Sequence, residues 1–205
     1  MASEWFPKPY FLQEFLTCGM NKSEIRKGAM VDRRGLTGQA IAGLNAALLA
    51  QFSTLDFKNI HTLHIFLPIV EKNEPDTFLL INWLRIHQPQ IHILVPRADF
   101  STALMTHHTY KGEEGLQKSM FNILEPIQEE QYTGKIDMVI VPLLAFDDRG
   151  YRVGYGKGFY DRFLEGQSCI KAGLSFFNSV GTIADTHMND IRLDLCITPE
   201  RIIYF

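Results

Sequence analysis

An apolar, branched run, Asp137-Met-Val-Ile-Val-Pro-Leu-Leu-Ala-Phe146, precedes a second stretch, Gly150-Tyr-Arg-Val-Gly-Tyr-Gly-Lys-Gly-Phe-Tyr-Asp-Arg162. Together they limit the architecture more than any other part of the sequence. The run has the composition of a buried strand. Gly154, Gly156 and Gly158 can bring bare main-chain N–H groups close to an anion, and Tyr160 to Leu164 reads as the opening of a helix. Strand, glycine-rich loop and helix in that order make loop and helix-start amides converge on phosphate. Arg152 and Lys157 add positive charge. Two familiar phosphate loops are excluded: no Lys-Ser/Thr pair follows a four-residue spacer, and the alternating glycines do not follow the strand directly. Three glycines alone would suit an ordinary flexible connection equally well. The arginine before them and Tyr-Asp-Arg after them make the whole string far more restrictive.

The rest of the chain supplies a sheet for that loop to sit on. Ser23 is placed to cap a helix running from Ile25 to Arg34, with Lys22 and Arg26 about one turn apart. By itself such a charged pair suits a solvated face. A second helix follows Thr37, with Ile41, Leu44, Leu48 and Phe52 at helical spacing. His61 to Leu67 alternates as a strand, Glu71 to Thr77 is a polar loop, Asp76 or Thr77 starts a helix through Trp83 and Ile86, and Ile91 to Val95 is the next strand. Ile170 to Phe176 and Val180 to Ala184 read as further strands, and the apolar pieces around Thr198-Pro-Glu-Arg201 as a terminal hairpin. Residues 98–133 are polar and irregular, an edge excursion with extended pieces from Leu104 to Tyr110 and a loop at Asn122 to Pro126. The predicted fold class is α/β: a three-layer, mostly parallel mixed sheet with helices on both faces, Rossmann-like, with a small C-terminal hairpin.

Composition narrows function mainly by exclusion. With 205 residues and 46% apolar content, a single domain over 1–205 is expected, its first 20 residues an aromatic extension (Trp5, Phe6, Tyr10, Phe11, Phe15) that reads as extra core. A net charge of -3 gives no general field for nucleic acid, so an anion must be held by local geometry. Cys18, Cys169 and Cys196 have no paired spacing, which argues against a disulfide framework or zinc site and for the cytoplasm. No signal peptide or bilayer-spanning run is evident. The expected partners are small molecules acting on a monomer or weak dimer. His107 and His108 lie side by side and point different ways, against a metal site, and Glu125 reads more readily as a solvated carboxylate than as a ligand. Asp190 and Asp194 suit either turns or Mg²⁺ held with substrate phosphates.

The string from Asp147 to Leu164, together with Lys22 and Arg26, resembles the signature of the 5-formyltetrahydrofolate cyclo-ligase (5,10-methenyltetrahydrofolate synthetase) family. The resemblance runs from about Lys22 to Thr198 and is weakest over 98–133. It implies that Lys22 and Arg26 reach ATP phosphates and that Arg152, Val153, Gly154, Tyr155, Gly156, Lys157, Gly158, Phe159 and Tyr160 form the nucleotide loop. By the same resemblance Asp161 and Asp190 hold Mg²⁺, and Glu74 and Leu67 contact the folate. Tyr155 to Phe159 then face folate and nucleotide together, and Lys22, Arg152 and Lys157 stabilise the transferring phosphoryl group.

The implied reaction is ATP-dependent closure of 5-formyltetrahydrofolate to 5,10-methenyltetrahydrofolate, with release of ADP and phosphate. The formyl oxygen attacks the γ-phosphate, nitrogen 10 attacks the resulting iminium phosphate, and phosphate leaves. Three features depart from the family pattern: the aromatic N-terminal extension, a longer and more charged loop at 71–76, and Phe159 where tyrosine is common. A sugar-phosphate isomerase, a CoA transferase or a folate- or nucleotide-binding regulator without turnover would use a similar sheet, and dependence on ATP and Mg²⁺ separates them from a cyclo-ligase.

Overall fold

A computed structural model describes residues 19–119 and 123–205. Residues 1–18, which include nearly all of the aromatic extension and Cys18, lie outside the described part. The main sheet has seven strands: β1 (Thr62–Ile65), β2 (His92–Asp99), β3 (Leu104–Thr109), β6 (Met138–Pro142), β9 (Ile170–Leu174), β10 (Leu195–Ile197) and β11 (Ile202–Tyr204). Their spatial order is β11-β10-β9-β6-β1-β2-β3. Neighbours from β10 to β2 pair in parallel, while β3 and β11 close the two edges antiparallel. The expected mixed sheet and terminal hairpin are therefore both present. Every residue of β1 is buried, and so are four of the five in β6, as strands covered on both faces must be.

The helices are α1 (Lys22–Arg34), α2 (Gly38–Phe52), α3 (Thr77–His87) and α4 (Phe159–Leu164). Leu44, Leu48 and Phe52 of α2 and Leu80, Ile81 and Leu84 of α3 pack on one face of the sheet against Leu63, Ile65, Ile93, Val95, Met138 and Ile140. Among the described residues, the short α4 covers the other face, where Leu164 joins Leu94, Val139, Val141 and Cys196. Helix α1 lies against a small hairpin, with Ile25 and Ala29 on Leu144, Ala145 and Val153. Among the described residues no helix is long and apolar enough to cross a membrane.

Four local expectations are corrected. Helix α1 is capped by Asn21 rather than Ser23: the Asn21 side chain accepts from the Glu24 amide at 3.0 Å, and Glu24 accepts from the Asn21 amide at 3.0 Å. This reciprocal box makes Lys22 the first helical residue. The run from Asp137 to Phe146 divides. Its partner β1 stops opposite Ile140, so the missing amide of Pro142 costs no ladder bond on that side. The chain then leaves the sheet, and β7 (Ala145–Phe146) pairs antiparallel with β8 (Arg152–Val153). Val180 to Ala184 is not a strand; Ile183 makes one bridge to Met20, and Val180 and Ile183 are buried against the hairpin. Within the expected loop at Asn122 to Pro126, residues Leu124–Pro126 form β5, which pairs with β4 (Leu116–Lys118), while Asn122 falls outside the described residues.

His64 of β1 points to the α4 side, fully buried, its ring 5.0 Å from those of both His107 and Phe163. Neither of its ring nitrogens finds a hydrogen-bond partner among the described residues. Burial, reinforced by the neighbouring His107, holds His64 well below the usual imidazole range, and burial with His108 beside it brings His107 to about 4. Both rings are neutral when folded, whereas the unfolded chain takes up protons below about pH 6.5. Their contribution is thus fully present above about 6.5 and is lost as pH falls toward 4. The expected result is a melting temperature that drops over this interval, with a visibly shallower slope in a His64→Leu, His107→Leu double variant, measured by thermal denaturation across pH.

Candidate functional site

A cavity of about 600 Å³ opens where β1, β2 and β6 end, lined there by Phe66, Leu67, Pro96 and Pro142. Clefts outside the carboxyl ends of parallel strands are where sheets of this class bind ligands. The hairpin of β7 and β8 aims Gly154 to Gly158 over these ends, and α4 begins directly afterwards. Gly156 has φ +85° and Gly158 φ +69°; a Cβ at 156 would lie 3.3 Å from the Arg26 guanidinium, and one at 158 would lie 2.9 Å from that of Arg162. The positive φ favours glycine at both positions, and the arginine ends that lie close could shift for a larger residue only by leaving the loop.

One end of the cavity is ionic. Lys22 Nζ is 2.5 Å from Asp190, and Arg152 donates to Asp161 at 2.7 Å. Arg152 also donates to the Ile191 carbonyl, and Arg26, which lines the cavity, holds the Gly154 carbonyl at 2.8 Å through Nε. Burial pulls the Arg152 guanidinium below the usual arginine range, against the opposing attraction of Asp161 and Asp190. Lys157 is exposed on the cavity rim and makes no ion pair among the described residues. Among the described residues Asp161 and Asp190 each use one oxygen, Asp161 for Arg152 and the Ile191 amide and Asp190 for Lys22 and the His187 amide.

The other end is largely apolar, walled by Met30, Leu67, Ala98, Met105 and Leu124, with Phe100 set edge-on to Phe159 at 5.2 Å. Tyr155 joins the two ends. Its hydroxyl donates to Glu74 at 2.6 Å and accepts from Arg33 at 3.2 Å, and the Lys72 ammonium lies 4.1 Å from its ring centre. Burial raises the Tyr155 hydroxyl well above the usual phenol range and the Glu74 charge raises it further, so it stays a donor. The second oxygen of Glu74 accepts from the Ile69 amide at 2.8 Å.

Of the site residues expected from sequence, Lys22, Arg26, Leu67, Glu74, Arg152, Gly154 to Asp161 and Asp190 all line this cavity. Val153 does not. It is 1% exposed in the core under α1, and its carbonyl is taken by the Leu144 amide at 2.8 Å. Asp194 faces away, bound to Lys171 at 3.2 Å, which favours Asp190 of the two tail aspartates. Glu125 is not a solvated surface carboxylate: its side chain is 19% exposed and lines the cavity. Arg33, buried inside α1, carries no sequence signal apart from helical periodicity, and Lys72 was legible only as part of a polar loop.

Comparison with known proteins gives a consistent set of likenesses. The profile of the 5-formyltetrahydrofolate cyclo-ligase family matches residues 19–199. The 5-formyltetrahydrofolate cyclo-ligase of Escherichia coli K12 is 29% identical over 158 residues, covering 69% of this chain and 80% of that one. The Mycolicibacterium smegmatis protein of the same name is 28% identical over 187 residues, covering 88% and 95%. The NMR structure of Aquifex aeolicus 5,10-methenyltetrahydrofolate synthetase superposes with a TM-score of 0.72 at 26% identity, over 89% of this chain and 92% of that one.

The Arg33–Tyr155–Glu74 chain ties three separate segments together, which makes it a stability element as well as a wall of the site. Tyr155→Phe removes both hydrogen bonds and leaves a buried guanidinium short of a partner; the expected loss is about 1–3 kcal/mol of unfolding free energy, read by denaturant titration.

Proposed function

This chain belongs to the 5-formyltetrahydrofolate cyclo-ligase family, and we infer that it closes 5-formyltetrahydrofolate to 5,10-methenyltetrahydrofolate at the expense of ATP. The observation that carries this reading is the joining, in one cavity of about 600 Å³, of ionic residues on and beside the glycine loop with apolar walls of the character a pterin needs. A formyl oxygen is an amide oxygen and a poor leaving group, so phosphorylation must precede ring closure. That order requires the γ-phosphate and the formyl group to meet, and Tyr155 to Phe159 lie along the path between the two ends.

In this mechanism the triphosphate lies along the glycine loop. Lys22, Arg26, Arg152 and Lys157 balance charge on the transferring phosphoryl group, the main task a protein has in such a step. Leu67 and Glu74 contact the folate, with Glu74 held by Tyr155 and the Ile69 amide. No side-chain nucleophile is needed, because the phosphorylated formyl group is itself the activated species. Nitrogen 10 then attacks its carbon, its proton is lost to the departing phosphate or to water, and the C–O bond breaks to release phosphate.

Mg²⁺ fits the donor set. Asp161 and Asp190 each have one oxygen that accepts no hydrogen bond among the described residues, and both act electrostatically on Arg152. Two carboxylates completed by phosphate and water oxygens match the preference of this ion. Among the described residues no group of three or more ligands is present, so the phosphates are needed to finish the site. When bound, the ion would neutralise charge on the β- and γ-phosphates.

Incubation of the purified protein with 5-formyltetrahydrofolate is expected to yield the absorbance of the methenyl product only when MgATP is present. A protein that binds either ligand without that signal would instead be a regulator. Arg152→Ala and Lys157→Ala should each lower kcat/KM for ATP by at least about tenfold, the scale of one charge-assisted contact. Unchanged kinetics in both variants would reject their roles.

A further inference from the structure

We propose that Glu125 is a specificity-determining residue that accepts the paired N–H donors on one edge of the pterin ring, an assignment that rests on the function inferred above. Besides Asp161 and Asp190, two carboxylates line the cavity, Glu74 and Glu125. They differ in what they have left to offer. Both oxygens of Glu74 are engaged, one by the Tyr155 hydroxyl and the other by the Ile69 amide. Glu125 accepts no hydrogen bond among the described residues, and its one ionic neighbour, Arg97 Nε, stands 4.0 Å away. The Glu125 side chain is four-fifths covered and lines the cavity, and among the described residues neither oxygen accepts a hydrogen bond.

Arg97 does something else: it fixes the strand that carries Glu125. From β2 it donates to the carbonyl of Pro126 and, at 2.7 Å, to that of Gln128, gripping the main chain just beyond residue 125. Pairing of Gln117 with Glu125 across β4 and β5 holds it from the other side. The position of the carboxylate is therefore set before any ligand arrives, while its lone pairs are not used up.

The chemistry of the occupant follows from this. Water can hydrate Glu125 while the cavity is open, but a ring filling the apolar end would displace that water and must itself supply donors, or leave a charged group unsatisfied. Leu124 beside Glu125, and Pro96 and Ala98 of β2, offer flat apolar contact to such a ring. A pterin carries an exocyclic 2-amino group next to the N3–H, two donors aimed the same way from one planar edge. Two carboxylate oxygens match that edge as they match the fork of an arginine. Neither the phosphates nor the glutamate tail of the substrate has such an edge, and both, being anionic, would be repelled.

The test is steady-state kinetics with 5-formyltetrahydrofolate and with its 2-desamino analogue, using the wild-type protein, Glu125→Ala and Glu125→Gln, with melting temperatures recorded for each. For the natural substrate both variants are expected to lose about tenfold or more in kcat/KM, while KM for ATP stays within about twofold and the melting temperature is kept. Glutamine should not rescue, because its amide places a donor where an acceptor is needed. With the desamino analogue the gap between wild type and variants should close to about twofold. Indifferent variants in an active protein, or an equal loss on both substrates, would overturn the assignment while leaving the proposed reaction standing. A wild-type protein inert toward 5-formyltetrahydrofolate with MgATP would overturn both.

Discussion

The site depends on a single buried carboxylate that takes no part in its chemistry. Asp147 is fully buried and accepts from the amides of Arg149 and Tyr151 at 3.0 Å each, from the Arg149 guanidinium at 2.7 and 2.9 Å, and from the Ile183 amide at 3.2 Å. Those bonds close the turn between β7 and β8 and tie it to the segment after β9. A charge buried in this way survives only because it is paired and hydrogen-bonded several times over. Its effect is directional. The chain that has just left the sheet at Pro142 is folded back on itself, so that the glycines emerge over the strand ends and not out into solvent.

The ionic wall follows a related logic. Four cationic side chains brought close together would repel, yet two of them are matched, Lys22 by Asp190 and Arg152 by Asp161. The pairing offsets the cost of burying Arg152 and keeps each head at the cavity surface. Arg26 and Lys157 are left without a carboxylate partner among the described residues. A polyanion entering the cavity therefore meets two unpaired cations at once, while the other two must exchange a carboxylate for phosphate. On the function proposed above, a divalent cation on the aspartates would favour that exchange, because its charge weakens the hold of the same two carboxylates on Lys22 and Arg152. Under the proposed function, nucleotide and metal affinity would be coupled through these side chains.

How much of this was legible in the sequence depended on whether local geometry or distant packing sets each residue's role. Gly156 and Gly158 adopt positive φ and sit hard against arginines, a requirement written into residue type, so the loop could be read directly. Lys22 and Arg26 survived a misplaced cap because a one-residue shift in the helix start does not change which residues lie a turn apart. Two-residue strands such as β7 and β8 are too short to show a period, which is why the hairpin was missed and Val153 was taken for a loop residue. Glu125 and His64 were opaque for a different reason. Nothing in the neighbouring residues marks a glutamate in a polar segment as cavity wall, or shows which face of a strand a histidine will turn inward; both follow from how the elements pack.

Tyr155 shows why the loop must be short and tightly held. Its neighbours in the chain are glycines whose main chain faces the cations, and the Gly154 carbonyl is fixed by Arg26. Its own side chain reaches the other way, to Glu74 and Arg33, under the ammonium of Lys72. A displacement of the loop toward either ligand therefore moves the groups that touch the other one. Transfer of a phosphoryl group to a formyl oxygen demands in-line approach within a fraction of an ångström. For the reaction proposed above, that alignment would not be left to two independent pockets; it would be set by one stretch of main chain anchored at Arg26, Arg33 and the turn around Asp147.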